Sequence, residues 1–125
     1  MENLYQLHRD GKIWRYEGTP LTGWQLLDNN PATIALTAWG SYLFQLHRDG
    51  KIWRHEGTIG ADWQLLDNNP ATIAIVAMSG SLFQLHRDGK IWQYEGGIIP
   101  LSVPRWELLD NNPATIALAA TTAVV

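Results

Sequence analysis

The sequence predicts an all-β fold made of three repeated four-stranded units, and three observations carry that expectation. The run Gln6-Leu7-His8-Arg9-Asp10-Gly11-Lys12-Ile13-Trp14 returns at Gln45 to Trp53 and again at Gln84 to Trp92, a period of 39 residues. A second block, Trp24 to Ala35, returns at Trp63 and, with Glu107 in place of Gln25, at Trp106. Between these blocks, short aromatic and β-branched runs alternate with Gly, Asn and Pro, and no segment sustains a 3.6-residue period with helix caps. The repeats divide a single domain, 1–125, into 4–42, 43–81 and 82–125, with four extra residues in the third within Gly97 to Arg105. Copies this alike point to recent duplication or deliberate design, and each is expected to do the same job.

The punctuation sets the strands of the second unit, and the other units follow by offset. Thr33 to Ala38 is apolar on both faces through Ile34, Ala35, Leu36 and Ala38, so this first strand is expected to lie centrally, buried on both sides. Gly40-Ser41 turns the chain into a second strand, Tyr42 to His47, and Gly80-Ser81 does the same in the next unit. Asp49-Gly50, like Asp10-Gly11 and Asp88-Gly89, predicts a two-residue hairpin turn with positive φ at both positions, leading to a third strand, Lys51 to Glu56. A variable loop follows, then a fourth strand, Trp63 to Leu66, and an Asx-Pro turn from Asp67 to Pro70. Each unit is a small meander.

Two architectures use such units: a β-propeller, one unit per blade, and a monomeric β-trefoil, three units per chain. The Ala-rich first strand suits the innermost strand of a blade, where wedge-shaped sheets converge. The phase of the chain adds to this. It opens at Leu4 in a second strand and closes with Thr115 to Val125, which repeats the first strand. Propellers typically close with about four to eight blades, and three blades alone would leave two open edges. The expectation is therefore a homodimer in which the C-terminal strand of each chain completes the first blade of the other, giving a six-bladed ring.

Composition narrows the partners. A net charge of −3, with Lys and Arg spread one cluster per repeat, gives no electrostatic footprint for nucleic acid. The chain has no cysteine, so neither disulfides nor thiolate chemistry enter. The apolar C-terminal stretch from Pro113 is too short to span a bilayer, so no membrane insertion is expected. The N-terminus lacks the basic and apolar regions of a secretory signal, which suggests a cytoplasmic protein or one exported by another route. Seven tryptophans supply large apolar plates suited to cores and to carbohydrate surfaces.

Leu4 to Gly18, followed by Trp24 and by Leu27-Asp28-Asn29-Asn30-Pro31, resembles the tectonin and tachylectin-like propeller repeats, most closely those of mushroom lectins that bind N-acetylglucosamine. The likeness covers essentially the whole chain. It implies a propeller with several equivalent sugar sites between blades.

Strand parity locates a candidate site independently. In a meander the turns alternate ends. The loops Thr19 to Gly23, Thr58 to Asp62 and Gly97 to Arg105 vary at one end, whereas His-Arg-Asp-Gly-Lys and Leu-Asp-Asn-Asn-Pro-Ala-Thr are unchanged at the other. Turn geometry explains the Asp-Gly and Asn-Pro pairs; it does not demand the neighbouring cations and amides. Planar amides and carboxylates bind sugar hydroxyls while an aromatic plate covers the apolar ring face. The candidates are Arg9, Lys12, Trp14, Asp28, Asn29 and Asn30, with Arg48, Lys51, Trp53, Asp67, Asn68 and Asn69, and Arg87, Lys90, Trp92, Asp110, Asn111 and Asn112. Trp24 is an alternative plate, and the Trp14 series also suits packing between blades. Tyr16, His55 and Tyr94 keep an aromatic ring at one position without keeping a hydroxyl, which fits stacking.

His8, His47 and His86 have no metal-ligand spacing and read as neutral histidines hydrogen-bonding between blades. No cofactor is implied. Asp10, Glu17 and Asp28 supply carboxylates, but Asp10 is explained by its turn, and three shallow equivalent sites do not resemble a single water-excluding catalytic pocket. The expected partners are glycans and a second copy of the chain. The alternative is a non-catalytic structural or protein-interaction scaffold that binds no sugar.

Overall fold

A computed structural model describes residues 4–56, 62–78, 80–95 and 105–120. These form eleven strands: β1 Tyr5–Leu7, β2 Lys12–Tyr16, β3 Trp24–Asn29, β4 Thr33–Trp39, β5 Tyr42–His47, β6 Lys51–His55, β7 Gln64–Asn68, β8 Thr72–Met78, β9 Ser81–His86, β10 Lys90–Tyr94 and β11 Trp106–Asn111. They make three antiparallel meanders, β1-β2-β3, β4-β5-β6-β7 and β8-β9-β10-β11. The fold is all-β, and among the described residues no helix is long and apolar enough to cross a membrane.

The Asp-Gly hairpins differ from the expected two-residue form. Only the glycine takes positive φ, 89° at each of Gly11, Gly50 and Gly89. The Gly11 N–H donates to the His8 carbonyl at 2.9 Å, and His8 N–H to the Lys12 carbonyl at 2.8 Å, closing a type I turn extended by a left-handed glycine. The aspartate keeps ordinary φ because its side chain acts as a local acceptor: Asp10 Oδ1 takes the Lys12 N–H at 3.0 Å, as Asp49 and Asp88 do for Lys51 and Lys90. The same glycine touches the other turn at that end of the sheet. A Cβ on Gly11, Gly50 or Gly89 would run into the carbonyl of Asn30, Asn69 or Asn112. The two unchanged turns of each unit are thus packed backbone to backbone.

The fourth strand also runs further than expected, through Asp67 to Asn68, because it carries a bulge. Ile52 pairs with Asp67 while Trp53 pairs with Leu65, leaving Leu66 without an opposite residue. The same shift occurs between Ile13 and Trp14 and between Ile91 and Trp92. Side chains alternate faces along a strand, so one extra residue turns Asp67 onto the face it would otherwise avoid. That face meets the next sheet.

The sheets pack in sequence order. Phe44, Leu46, Ile52 and Leu66 of the second sheet form one buried cluster with Ile75, Leu82 and Tyr94 of the third. From Leu43 to His47 every residue of β5 is buried, since it lies between two neighbouring sheets. The first strand of the meander, β4, is the edge of its own sheet, and it is not buried on both sides as expected: Ile34 stays 44% exposed and Ile73, its counterpart in β8, 40%. Its apolar character serves contact across sheets, where β4 lies beside β8 and the Ala77 N–H donates to Thr37 Oγ1 at 2.9 Å.

Among the described residues the first sheet has three strands, and no described strand pairs with the outer edge of β1. The segment 115–120 repeats the β4 sequence but pairs with no described strand, and Ile116 is 86% exposed. Residues 121–125 of the expected C-terminal strand lie outside the described residues, as does most of the loops Thr58 to Asp62 and Gly97 to Arg105.

Candidate functional site

A cleft of about 180 Å³ lies where the second sheet meets the third, lined by Asp67, Asn69, Gln84, His86, Trp92 and Trp106. It is smaller than the roughly 300–1,000 Å³ typical of sites for drug-sized ligands and suits a single small ring. The bulge delivers Asp67 from one side. From the other, Gln84 and Trp92 are paired neighbours on β9 and β10 and project from one face.

A polar joint forms the floor. Gln84 Nε2 donates to Asp67 Oδ2 at 3.0 Å across the two sheets, and Gln84 Oε1 accepts from Thr72 Oγ1 and lies 2.9 Å from His86 Nε2. The preceding junction repeats it. Gln45 Nε2 reaches Asp28 Oδ2 at 3.2 Å, and Gln45 Oε1 meets Thr33 Oγ1 and His47 Nε2, the latter at 2.9 Å. With Gln45 and Gln84 only 2% and 1% exposed, losing either joint would strand buried polar atoms. The histidines therefore bond within their own strand, contrary to the bridge between units expected of them; glutamine spans the junction. Burial pushes the His47 and His86 pKa values down, and the nearby carboxylates Asp49 and Asp28, or Asp88 and Asp67, only partly oppose this. A neutral imidazole with its proton on Nε2 donates to glutamine and leaves Nδ1 as an acceptor.

Aromatic rings form the walls. His86 and Trp92 lie with centroids 5.8 Å apart, and Tyr94 and Trp106 4.9 Å apart. His55 with Trp63 and Tyr16 with Trp24 repeat the latter pair at 4.6 and 5.0 Å, so the ring retained at 16, 55 and 94 makes a tilted contact with its own unit's tryptophan, at 45–58° between planes, in place of a parallel stack. The indole N–H groups of Trp92 and Trp106 are buried and have no hydrogen-bond partner among the described residues. With those N–H groups turned inward, the surface the two rings offer the cleft is carbon, as an apolar plate requires.

Asp67, Asn69 and Trp92 are the residues of the sequence-derived set that this cleft brings together, and Asp28, Asn30 and Trp53 occupy the matching positions one unit earlier. Asn69 Oδ1 is already engaged by the Ala71 N–H at 2.9 Å, which leaves its amide NH₂ for a ligand. The cations stand elsewhere. Lys12, Lys51 and Lys90 pair with Asp10, Asp49 and Asp88 of their own turns at 3.5, 3.6 and 3.6 Å, while Arg48 and Arg87 donate to the Pro31 and Pro70 carbonyls at 3.4 and 3.3 Å. Arg9 sits in the matching turn of the first unit, exposed. Asn29, Asn68 and Asn111 end their strands opposite the lysines, exposed and off the cleft wall.

The sequence reading passed over Gln45 and Gln84. Their signal was present: one amide between two apolar neighbours in mid-strand, unchanged in every copy. Among the described residues no group of three or more His, Asp or Glu side chains could hold a metal ion. No family model matches the chain, and no curated protein does.

Proposed function

We propose that this chain is a multivalent carbohydrate-binding protein, a lectin that takes terminal N-acetylglucosamine-type sugars at clefts between β-propeller blades, without metal and without catalysis. The observation that carries the proposal is the cleft between the second and third sheets, where apolar indole surfaces face a carboxylate and amides. That pairing matches a pyranose, whose one face is largely C–H and whose rim is hydroxyls and, in an N-acetyl sugar, an amide. The resemblance of the repeats to tectonin and tachylectin-like propeller lectins supports the same reading.

Three meanders stacked face to face in sequence order, with β4 and β8 side by side, are what part of a propeller requires, and the first sheet, whose outer edge pairs with no described strand, supports closure by a second copy into six blades. Each shallow cleft binds weakly, and clustered glycans engage several at once. A glycan array with free N-acetylglucosamine as competitor tests the reading. Competed binding is expected, and Trp92→Ala should lower it; signal that the free sugar leaves unchanged would sink the proposal. A scaffold reading draws on one specific observation, that Asp67, Asn69 and Gln84 each already hold a structural hydrogen bond. Intact folding with no competed binding on the array would favour it.

A further inference from the structure

The two ends of the chain carry complementary halves of one more cleft. On the first sheet, Gln6 and His8 are already arranged as in the finished junctions: His8 Nε2 lies 3.0 Å from Gln6 Oε1, against 2.9 Å at both His47 and His86. The ring pair matches too. His8 and Trp14 have centroids 5.8 Å apart at 38°, and His47 and Trp53 5.9 Å at the same angle. Yet His8 is exposed where His47 and His86 are buried, because among the described residues no sheet packs against the first from that side. At the far end Asp110, turned outward by the same bulge as Asp67, is also exposed.

The tail leaves the third sheet in the geometry that launches β4 and β8. Asn112 Oδ1 accepts the Ala114 N–H at 3.0 Å, as Asn30 does for Ala32 and Asn69 for Ala71 at 2.9 Å. The Thr115 N–H reaches the Asn112 carbonyl at 3.1 Å, matching Thr33 to Asn30 at 3.1 Å and Thr72 to Asn69 at 3.0 Å. In both finished cases the strand so launched pairs with the next unit. Offsetting those registers aligns Thr115 with His8, Ala117 with Leu7, Leu118 with Gln6 and Ala119 with Tyr5, leaving Ile116 as the unpaired residue, as Ile34 and Ile73 are. The receiving place exists: a groove of about 220 Å³ beside β1, lined by Tyr5, Leu36, Thr37, Ala38 and Leu43.

We propose that Asp110 and Asn112 of one copy, with Gln6, His8, Trp14 and Trp24 of a second, assemble a binding cleft equivalent to the one between the second and third sheets, seated by the strand that begins at Thr115. The ligand class, an N-acetylglucosamine-type sugar, rests on the function proposed above; the assembly rests on geometry alone. Asp110 accepts from Gln6 Nε2 of the second copy, and the Gln6 Oε1 that His8 already meets accepts from Thr115 Oγ1. Arg9 donates to the Pro113 carbonyl, as Arg48 and Arg87 do to Pro31 and Pro70. Each two-chain ring then holds three clefts per chain, one of which neither chain can build alone.

The chain has no cysteine, so a disulfide reports the contact cleanly. Tyr5→Cys with Ala119→Cys places two thiols at opposed strand positions, within the roughly 4.4–6.8 Å Cα separation a disulfide needs. Mild oxidation is expected to give a covalent species of two-chain mass. A cross-link within one chain, or none, overturns the proposal. Calorimetric titration of the parent protein with N-acetylglucosamine is expected to give three sites per chain, falling to two in Asp110→Ala/Asn112→Ala, and the variant's dimer is expected to dissociate about tenfold more readily. Two sites per chain in the parent, or three in the variant, overturns the shared cleft and leaves the sugar reading standing. If the parent binds no sugar, the function proposal fails, while a two-chain cross-link and a weakened Asp110→Ala dimer still establish the joint.

Discussion

Three stretches of nearly one sequence meet different fates in this molecule. Thr33–Trp39 and Thr72–Met78 are seven-residue strands, each paired along its length, whereas 115–120, with the same Thr-Ile-Ala opening, pairs with no described strand. The Asn turn that launches them is the same in all three. What differs is the sheet ahead: β5 and β9 offer an edge to β4 and β8, and no described strand offers one to the tail. Strand propensity here is permission, and pairing is the cause.

The comparison can be broken most forcefully by deleting the tail. Removal from Thr115 onward is expected to abolish the two-chain mass in light scattering. It should also speed amide exchange in β1 and β2, with an apparent stability loss of at least about 2 kcal/mol from the apolar surface left uncovered. Unchanged mass would mean the tail does nothing for assembly.

Two glycines come next. Gly50→Ala meets both positive φ and the Asn69 carbonyl, so a loss of at least about 2 kcal/mol in a denaturant titration is expected. Gly40→Ala, at φ 61° with open space around it, should cost only about 1 kcal/mol. Equal costs would show that the packed turns yield more readily than their geometry implies.

Glutamine substitutions sharpen the contrast between finished and unfinished junctions. Gln84→Ala leaves Asp67 and Thr72 without their partner and should cost about 1–3 kcal/mol. Gln6→Ala should cost a similar amount in the two-chain species and almost nothing in a tail-deleted chain.

The smallest effect is on pH. The folded-state pKa of His47 and of His86 lies below the ordinary 6.5, so the unfolded chain takes up protons first as pH falls. Their stabilising contribution is complete above that value and is lost as pH drops through the folded one. The melting temperature should therefore hold level from about pH 8 to 7 and decline towards about pH 5, and His47→Gln with His86→Gln should flatten the decline.

The units, their four strands and the open first sheet were legible because repetition and turn residues are local signals. The bulges were not. Trp-Gln-Leu-Leu-Asp-Asn reads as a strand running into a turn, and only the pairing of Trp53 with Leu65 and Ile52 with Asp67 reveals that Leu66 is extra. Missing the bulge hid the aim of Asp67, and with it the role of Gln45 and Gln84, since their partner lies on another sheet. Arg48, Lys51 and Asn68 drew attention by being unchanged, yet each sits in or beside two turns whose backbones touch, where packing itself restricts change. The burial of the inner strand was overestimated for a related reason: apolarity on two faces records how many neighbours a strand has, and for β4 one of these is another edge, β8.

The contact between Gly50 and the Asn69 carbonyl divides each unit into a rim that is closed to length change and an opposite rim that is open to it. The Thr19 to Gly23 loop, with Leu21 at φ 71° and almost wholly exposed, lies on the open side. Foreign peptides grafted there would stand away from the clefts, making this loop a natural attachment point for cargo or labels.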